Sequence, residues 1–439
     1  MRFFALLFAS AIIAAPGCSG DDAADPSDDA GAVDDAGAPN SSTRSEQPAN
    51  VQISGGLAAQ GCVPGESEAC TCDSGLSSVR ECLPDGEVGP CECEPWGPGV
   101  PDYDFGESSL AGVELVRLPA FDIVADPGRD RLYVSLGSPS PAHENSVVAI
   151  SCGNAAGDGL GSVDFSLALN EPAGVLAVSD DGSRLHVGAR QSFAIVEVDL
   201  TTQSELARHP LPTSEFGDPQ QAYDLEVVPG NPSRLLAVLS ASAQSAQFTE
   251  LHMFEAGAEV GTPPPTWLDT DEIAVASASV AYAQNTSTTA ATLTTLALDA
   301  SGITPGTRTD NVFSDFSRQL AYDGQWLLLA SGQAADPSTH TLMGDYGLRA
   351  PLVSDRAGDR VYMVAAPDGS LLEDLELIAF DRDAFTESGR LVLEGISGTP
   401  RKLVRCQNGA LALIYDPIYD ALEQDRLLLM IAPNTLAGL

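Results

Sequence analysis

Residues 173–200 read AGVLAVSDDGSRLHVGARQSFAIVEVDL and contain the pattern that decides the fold. The segment before the SDDG turn predicts a short strand, and residues 185–187 and 194–198 predict two more. Asp180, Asp181 and Gly182 are typical of a turn, because short polar side chains bond their own backbone and glycine accepts positive φ. A three-stranded unit with an apolar surface cannot bury that surface alone, so it needs neighbours of its own kind.

The same strand–turn–strand pattern recurs along residues 112–439. The first apolar residues of the successive inner strands are Ile123, Val175, Leu225, Ile273, Leu320, Leu352 and Leu403. Most of these residues lie about 50 apart, as in four-stranded propeller blades of ~40–50 residues, and only the fifth interval is short. The sequence therefore predicts an all-β fold, a seven-bladed β-propeller over residues 112–439.

Ring closure is predicted from the two ends of the repeat region. The last unit has three strands, and residues 113–118 (VELVRL) supply a spare strand before the first unit. Pairing the spare strand with the last blade would close the ring and remove two open sheet edges.

Two units, PAGVLAVSDDGSRLHV…AIVEVDL and DIVADPGRDRLYV…SVVAI, resemble those of bacterial YVTN-type (WD40-like) seven-bladed β-propellers. The family units read roughly P-x-x-hydrophobic-A-V-S-P-D-G-x-R-L-Y-V…V-x-V-I-D. The resemblance covers residues 112–439 and implies the propeller fold. It does not imply one activity, since this broad group includes lactonases, lyases, quinoprotein dehydrogenases and adhesion or scaffold modules.

The first 50 residues predict export and anchoring. Residues 1–18 combine Arg2, a short apolar run and APGC, which resembles a bacterial lipobox, so they are interpreted as a lipoprotein signal peptide with Cys18 as the acylated residue. The alternative is ordinary secretory cleavage near residues 9–11, giving a secreted or periplasmic protein. Residues 19–50 are acidic and poor in large apolar side chains, which predicts a disordered linker.

Residues 51–95 predict a small disulfide-rich segment, followed by a Pro/Gly-rich hinge at residues 96–111. An even, dense set of cysteines in an exported chain indicates three disulfides of unknown pairing. The set comprises Cys62, Cys70, Cys72, Cys82, Cys91 and Cys93. Zinc binding is the alternative, disfavoured because the pairs have C-x-C spacing and no histidine accompanies them. The cysteine pattern resembles segments of myxobacterial surface lipoproteins.

Cys152 and Cys406 remain outside that set. Ring closure would make the first and last blades neighbours, which brings both cysteines to one face. We therefore predict a disulfide between them, provided that their Cα atoms lie within ~7 Å. Two isolated cysteines are the alternative.

The charge balance is extreme, with 62 acidic and 21 basic residues and a net charge of −41. Such a surface repels phosphate backbones, so nucleic acid is excluded as a partner. Solubility explains the charge most simply. Calcium capture is the alternative, although the sequence contains no D-x-[DN]-x-[DN]-G loop, and no cofactor is predicted.

Few residues indicate chemistry. The five histidines are scattered without metal-ligand spacing, and His186 is interpreted as a partly buried strand residue. Gly395–Gly398 misses the G-x-S-x-G spacing and is interpreted as a loop, and three tryptophans are too few for a quinoprotein. Charged residues near the inner strands are interpreted as solvated rim charges; these are Glu171, Asp224, Arg318, Arg401 and Arg405.

The favoured function is therefore a non-catalytic binding or scaffold module at the cell surface or outer membrane. Its partner would be an unknown protein, glycan or small ligand at the cell envelope, and a lipid anchor would hold it at the membrane. A hydrolase or lyase with a site in the central channel is the main alternative, and a structural envelope component is a third.

Overall fold

The structure of the chain is a computed structural model. It describes residues 67–71, 77–81, 83, 110–137, 146–154, 157–214, 216–241, 249–265, 268, 270–286, 291–314, 319–370, 372–417 and 426–439. The predictions of the signal peptide, Cys18 and the acidic linker lie outside these residues. So do most of the hinge and all the N-terminal cysteines except Cys70.

Two short strands, β1 (Ser67–Thr71) and β2 (Ser77–Glu81), form an antiparallel hairpin within the cysteine-rich segment. Cys70 lies on β1 opposite Ser78. The pairing of the N-terminal cysteines stays a prediction. No helix in the described ranges has the length and apolar character needed to cross a membrane.

Seven antiparallel blades of four strands each follow one another along residues 113–431. The first three are β4–β7 (Ala120–Ala125, Arg131–Leu136, Ser146–Cys152, Leu160–Ala168), β8–β11 (Ala173–Val178, Arg184–Ala189, Ala194–Asp199, Ser204–Pro210) and β12–β15 (Gln220–Val227, Arg234–Ala241, Thr249–Glu255, Ala258–Glu259). The next two are β16–β19 (Glu272–Ser277, Val280–Gln284, Leu293–Asp299, Gly302–Thr309) and β20–β23 (Leu320–Tyr322, Leu327–Leu329, Gln333–Asp336, Thr341–Asp345).

The sixth and seventh blades share one long strand. Blade 6 contains β24 (Leu352–Asp355), β25 (Arg360–Ala365), β26 (Asp374–Asp381) and the first half of β27 (Thr386–Arg405). Blade 7 contains the second half of β27 together with β28 (Leu411–Pro417), β29 (Leu427–Ile431) and β3 (Val113–Val116). Short 3-10 helices occur at Arg356–Gly358, Pro367–Gly369 and Pro433–Gly438.

The prediction of a seven-bladed β-propeller is confirmed, and so is its closure. The spare strand β3 pairs antiparallel with β29, for example Leu115 with Leu429. The interpretation of Gly395–Gly398 as a loop is wrong, because β27 runs through these residues without interruption. Gly398 has φ of +140°, and a Cβ there would lie 2.1 Å from the Asp416 carbonyl oxygen, so the strand passes between blades only with glycine at this point.

The core consists of apolar layers between neighbouring blades. In the described part of the chain there are seven such clusters, one for each pair of adjacent blades. Alternate residues of a strand point to opposite neighbours: Ala194 and Val196 of β10 pack against blade 1, whereas Ile195 between them packs against blade 3. Each blade therefore buries both faces, which explains the nearly continuous apolar runs of the middle strands.

The SDDG turn that opens the sequence pattern links three blades. Its Gly182 carbonyl accepts a hydrogen bond from Arg129 of blade 1 at 2.9 Å, and Asp180 accepts one from the Gly230 amide of blade 3 at 3.0 Å. Within the turn, Asp181 accepts hydrogen bonds from Ser179 and Ser183. These bonds give the turn a structural role between blades.

Cys152 and Cys406 form a disulfide with a Cα–Cα distance of 6.3 Å. Cys152 ends β6 in blade 1 and Cys406 follows β27 in blade 7, so the bond joins the first and last blades as expected. Both residues are fully buried and belong to the apolar cluster between those blades. The ring is thus closed twice, by strand pairing and by a covalent bond.

Replacing both cysteines, as Cys152→Ala with Cys406→Ala, should lower the free energy of unfolding by about 3 kcal/mol. The disulfide spans 254 residues, and its removal frees a long loop in the unfolded chain. Urea unfolding followed by tryptophan fluorescence measures the change. An unchanged midpoint and an unchanged slope would contradict a stabilising role for this bond.

Candidate functional site

A central channel with a volume of about 1520 Å³ runs between the inner strands and is lined by residues of all seven blades. The lining combines small residues, such as Gly174 and Ala222, with a group of charged side chains. Because the blades are arranged in a ring, one residue from each inner strand reaches the axis at a similar height.

A charged ring of four residues occupies equivalent positions on four inner strands. Asp122, Asp224 and Lys402 each follow a register shift of their strand and directly precede a buried apolar residue. Glu272 likewise directly precedes the buried Ile273 of blade 4. All four side chains line the channel. We refer to Asp122, Asp224, Glu272 and Lys402 as the charged ring.

Three carboxylates of the charged ring connect neighbouring blades. Asp122 accepts a hydrogen bond from the Leu176 amide of blade 2 at 2.8 Å, and Asp224 accepts one from the Ile273 amide of blade 4 at 2.9 Å. Glu272 accepts a backbone hydrogen bond from Gln319, just ahead of the inner strand of blade 5. These bonds fix the spacing of adjacent inner strands, so part of this charge is structural.

Lys402 is the single lysine of the chain and provides the cation of the charged ring. Its Nζ lies 2.5 Å from Asp122 Oδ1, so the ion pair joins blade 7 to blade 1. The Lys402 side chain keeps 35% of its surface accessible because it faces the open channel. Burial alone would lower the pKa of Lys402, but the ion pair with Asp122 and the charges of Asp224 and Glu226 raise it.

Glu226 lies two residues beyond Asp224 on β12 and also lines the channel. Burial raises the pKa of Glu226 to about 8, and the nearby Asp224 carboxylate adds to this effect. Burial likewise raises the pKa of Asp224 to about 6 and that of Glu272 well above its usual range. At neutral pH the channel therefore holds a mostly protonated Glu226 beside a mostly ionised Asp224, which suits hydrogen bonding to a polar ligand.

The residues that the sequence placed near the axis have different positions. Asp224 belongs to the charged ring, and Arg401 and Arg405 line the channel, with Arg405 3.1 Å from Asp355 at the ends of their inner strands. Glu171 is buried outside the channel, where it accepts hydrogen bonds from Gln191, Ser192 and Arg208. The interpretation as solvated rim charges is wrong for Asp224 and Glu171, because both are enclosed and bonded. Arg318 lies outside the described residues.

None of the four described histidines lines the channel. His186 is fully buried, more than expected, and its Nε2 lies 2.8 Å from the Pro232 carbonyl of blade 3. His252 contacts Glu259 at 2.8 Å, and His340 contacts Thr295 at 2.8 Å. In the described ranges, no set of three or more His, Cys, Asp or Glu side chains is arranged to hold a metal ion.

Asp122, Glu226, Glu272 and Lys402 were not singled out by sequence analysis. A signal for three of them exists: Asp122, Glu272 and Lys402 stand directly before the apolar landmark residue of their repeat. Aligning the repeats on those landmarks and reading one position back gives the charged ring. Glu226 has no such signal, since its channel position depends on the register of β12.

Comparisons with known proteins add little to this geometry. No protein family model and no curated protein matches the chain. Among solved structures, the chain is similar to the β-propeller domain of Cps50 (Swd1) from Myceliophteria thermophila. The identity is 14%, the TM-score is 0.47, and the alignment covers 72% of this chain and 98% of that one. Similarity at this level transfers no function.

Glu226→Gln should remove a pH-dependent loss of stability. The folded-state pKa of Glu226 is about 8, against an ordinary value of 4.5, so its protonated form favours folding. That contribution is complete below about pH 4.5 and is lost as the pH rises through 8. We expect the free energy of unfolding of the variant to equal that of the wild type near pH 4.5. Near pH 8.5 we expect it to be about 2 kcal/mol higher than that of the wild type.

Urea unfolding at both pH values measures this difference. The matched control is Glu373→Gln, which changes an exposed glutamate outside the channel and should leave the pH dependence unaltered. If the free energy of unfolding changed equally with pH in the wild type and in Glu226→Gln, the pKa of Glu226 would not be raised by folding.

Proposed function

We propose that the chain is a non-catalytic binding module, exported and lipid-anchored at the cell surface or outer membrane, whose ligand occupies the central channel. The observation that carries this proposal is the channel itself. It holds about 1520 Å³, receives residues from every blade and contains charged side chains fixed by inter-blade bonds. A preorganised cavity of this kind can bind a small ligand, or a side chain or chain end of a protein partner, at low entropic cost.

The anchoring part of the proposal rests on residues 1–50. The apolar run, the APGC motif at Cys18 and the acidic linker support a lipoprotein that holds the propeller away from the membrane. The repeat pattern supports a propeller of the YVTN type, and the cysteine-rich segment is like those of myxobacterial surface lipoproteins.

A hydrolase or lyase acting in the channel is the second candidate. Glu226 favours it, because a carboxylic acid with a pKa of about 8 can donate a proton at neutral pH. The hydrogen bonds of Asp122 and Asp224 to backbone amides favour the binding module instead, since these groups already have structural partners.

Cys18→Ala should release the protein from membranes. Without the acylated cysteine, the tether has no lipid, and the chain should move from the detergent phase to the aqueous phase in detergent partitioning. Mass spectrometry of the N-terminal peptide should show acyl groups on the wild-type chain alone. A wild-type chain that begins at another residue without lipid would favour ordinary secretory cleavage.

Lys402 allows a direct test of channel occupancy. The chain contains one lysine, so acetic anhydride at about pH 9 should modify Lys402 and leave no other side-chain ammonium to confuse the result. We expect ligands captured from native membranes on the full chain to slow this modification at least fivefold. Peptide mapping by mass spectrometry measures it.

Asp374→Asn, which changes a residue away from the channel, serves as a control and should retain both capture and protection. Capture of a ligand without protection of Lys402 would place the binding surface elsewhere on the ring. Conversion of the captured ligand during incubation, lost in Glu226→Gln, would favour the enzyme.

A further inference from the structure

The mouth of the channel at the start of the inner strands is rich in arginine. Arg190 follows the second strand of blade 2, Arg401 lies on β27, and Arg426 precedes the third strand of blade 7. All three line the channel, although they come from distant parts of the sequence. Together with Arg349, Lys402 and Arg405, the channel wall holds six of the chain's 21 basic residues.

This concentration contrasts with the rest of the molecule. The chain has a net charge of −41, and most of its surface repels anions. The channel wall carries five acidic residues, namely Asp122, Asp224, Glu226, Glu272 and Asp323. Six bases and five acids give the lining residues a formal charge of +1, and the raised pKa of Glu226 makes the wall more positive at neutral pH. The channel wall thus lacks the excess of negative charge that the chain as a whole carries.

Phe121 organises the arginines at this mouth. The Cζ atoms of Arg190 and Arg426 lie 4.8 and 5.4 Å from the centre of the Phe121 ring. Arg426 also donates a hydrogen bond to the Phe121 carbonyl oxygen at 3.1 Å. Stacking on an aromatic face holds a guanidinium group in place without occupying its N–H donors, so those of Arg190 stay available for a ligand.

The stem of Arg190 is fixed as well. A Cβ added at Gly174 would lie 3.3 Å from Arg190 Cγ and 2.8 Å from the Gly188 carbonyl oxygen, so the arginine crosses blade 2 where glycine leaves room. The Arg190 backbone carbonyl accepts a hydrogen bond from Gln221 at 3.0 Å. Arg190 forms no ion pair with any residue in the described ranges.

The other two arginines share one carboxylate. Arg401 and Arg426 both form ion pairs with Asp416, the latter at 3.3 Å. Among the described residues, Asp416 is thus the one carboxylate that pairs with this group of three arginines, and it contacts Arg401 and Arg426 only. Guanidinium forks match the paired oxygens of carboxylates and phosphates.

We propose that the arginine mouth, formed by Arg190, Arg401 and Arg426 around Phe121, binds a small organic anion bearing carboxylate or phosphate groups. This proposal rests on the channel being the ligand site and adds the chemical class of the ligand. The anion lies against Arg190 and Arg426 at the Phe121 ring, and the rest of the ligand extends toward Lys402.

Isothermal titration of the full chain with citrate and, separately, with inorganic phosphate tests this proposal. Both bear the chemistry that the arginines recognise, and the tighter of the two identifies carboxylate or phosphate as the natural group. We expect saturable binding that weakens as the ionic strength rises. Arg190→Gln and Arg426→Gln should each weaken it roughly tenfold, and Arg190→Lys should weaken it less because the charge is kept.

The matched control is Arg131→Gln. Arg131 also lies over an aromatic ring, 5.0 Å from the centre of Phe165, and pairs with Asp164 at 2.7 Å, but it is outside the channel. Its replacement should leave anion binding unchanged. Circular dichroism and the unfolding midpoint verify that each variant remains folded.

Two results would overturn the proposal: neither anion binds saturably, or Arg131→Gln weakens binding as much as Arg190→Gln does. A neutral membrane ligand that protects Lys402, while citrate and phosphate do not, would overturn the anion class and leave the channel as the binding site. If no ligand of any kind protects Lys402, the channel proposal itself fails.

Discussion

The structure depends on the requirement that every blade bury two faces. A single four-stranded sheet of this chain exposes apolar residues on both sides, and only a neighbour on each side removes them from water. Seven apolar layers between seven blades meet that requirement in a ring. An open arc would leave two apolar faces exposed, so closure by β3 and by the Cys152–Cys406 bond follows from the same constraint.

Much of this architecture is visible in the sequence because it is repeated. Turn residues such as Asp181 and Gly182 recur with apolar strands at nearly constant spacing, and the spare strand and the two remaining cysteines lie where closure needs them. The continuity of β27 is not visible. Its residues 395–400 read GISGTP, a composition typical of loops, yet tertiary pairing with β26 and β28 keeps them extended.

The channel is less predictable, since its contacts join residues that are far apart in the chain. Asp122 and Lys402 are separated by 280 positions and meet through ring closure alone. The apolar pattern predicts which residues face a neighbouring blade but does not show which ones reach the axis. The arginine mouth is harder still, because Arg190 and Arg426 belong to segments after and before middle strands, where the repeat pattern has no fixed residue. The net charge of −41 also gives no sign of it, since the channel lining contains six basic residues and five acidic ones.

The position of β3 would have a mechanical consequence if the N-terminal segment anchors the protein as proposed. Any pull on that segment reaches the ring at Leu110 and Ala111, which contact blade 7, and then at β3, which is joined to its blade by the ladder with β29. Detaching β3 would break the strand pairing that closes the ring. The bond between Cys152 and Cys406 connects the same two blades independently of β3, so the disc would stay circular under a load that strips its first strand. The disulfide would therefore keep blades 1 and 7 joined even if the pairing of β3 with β29 were lost.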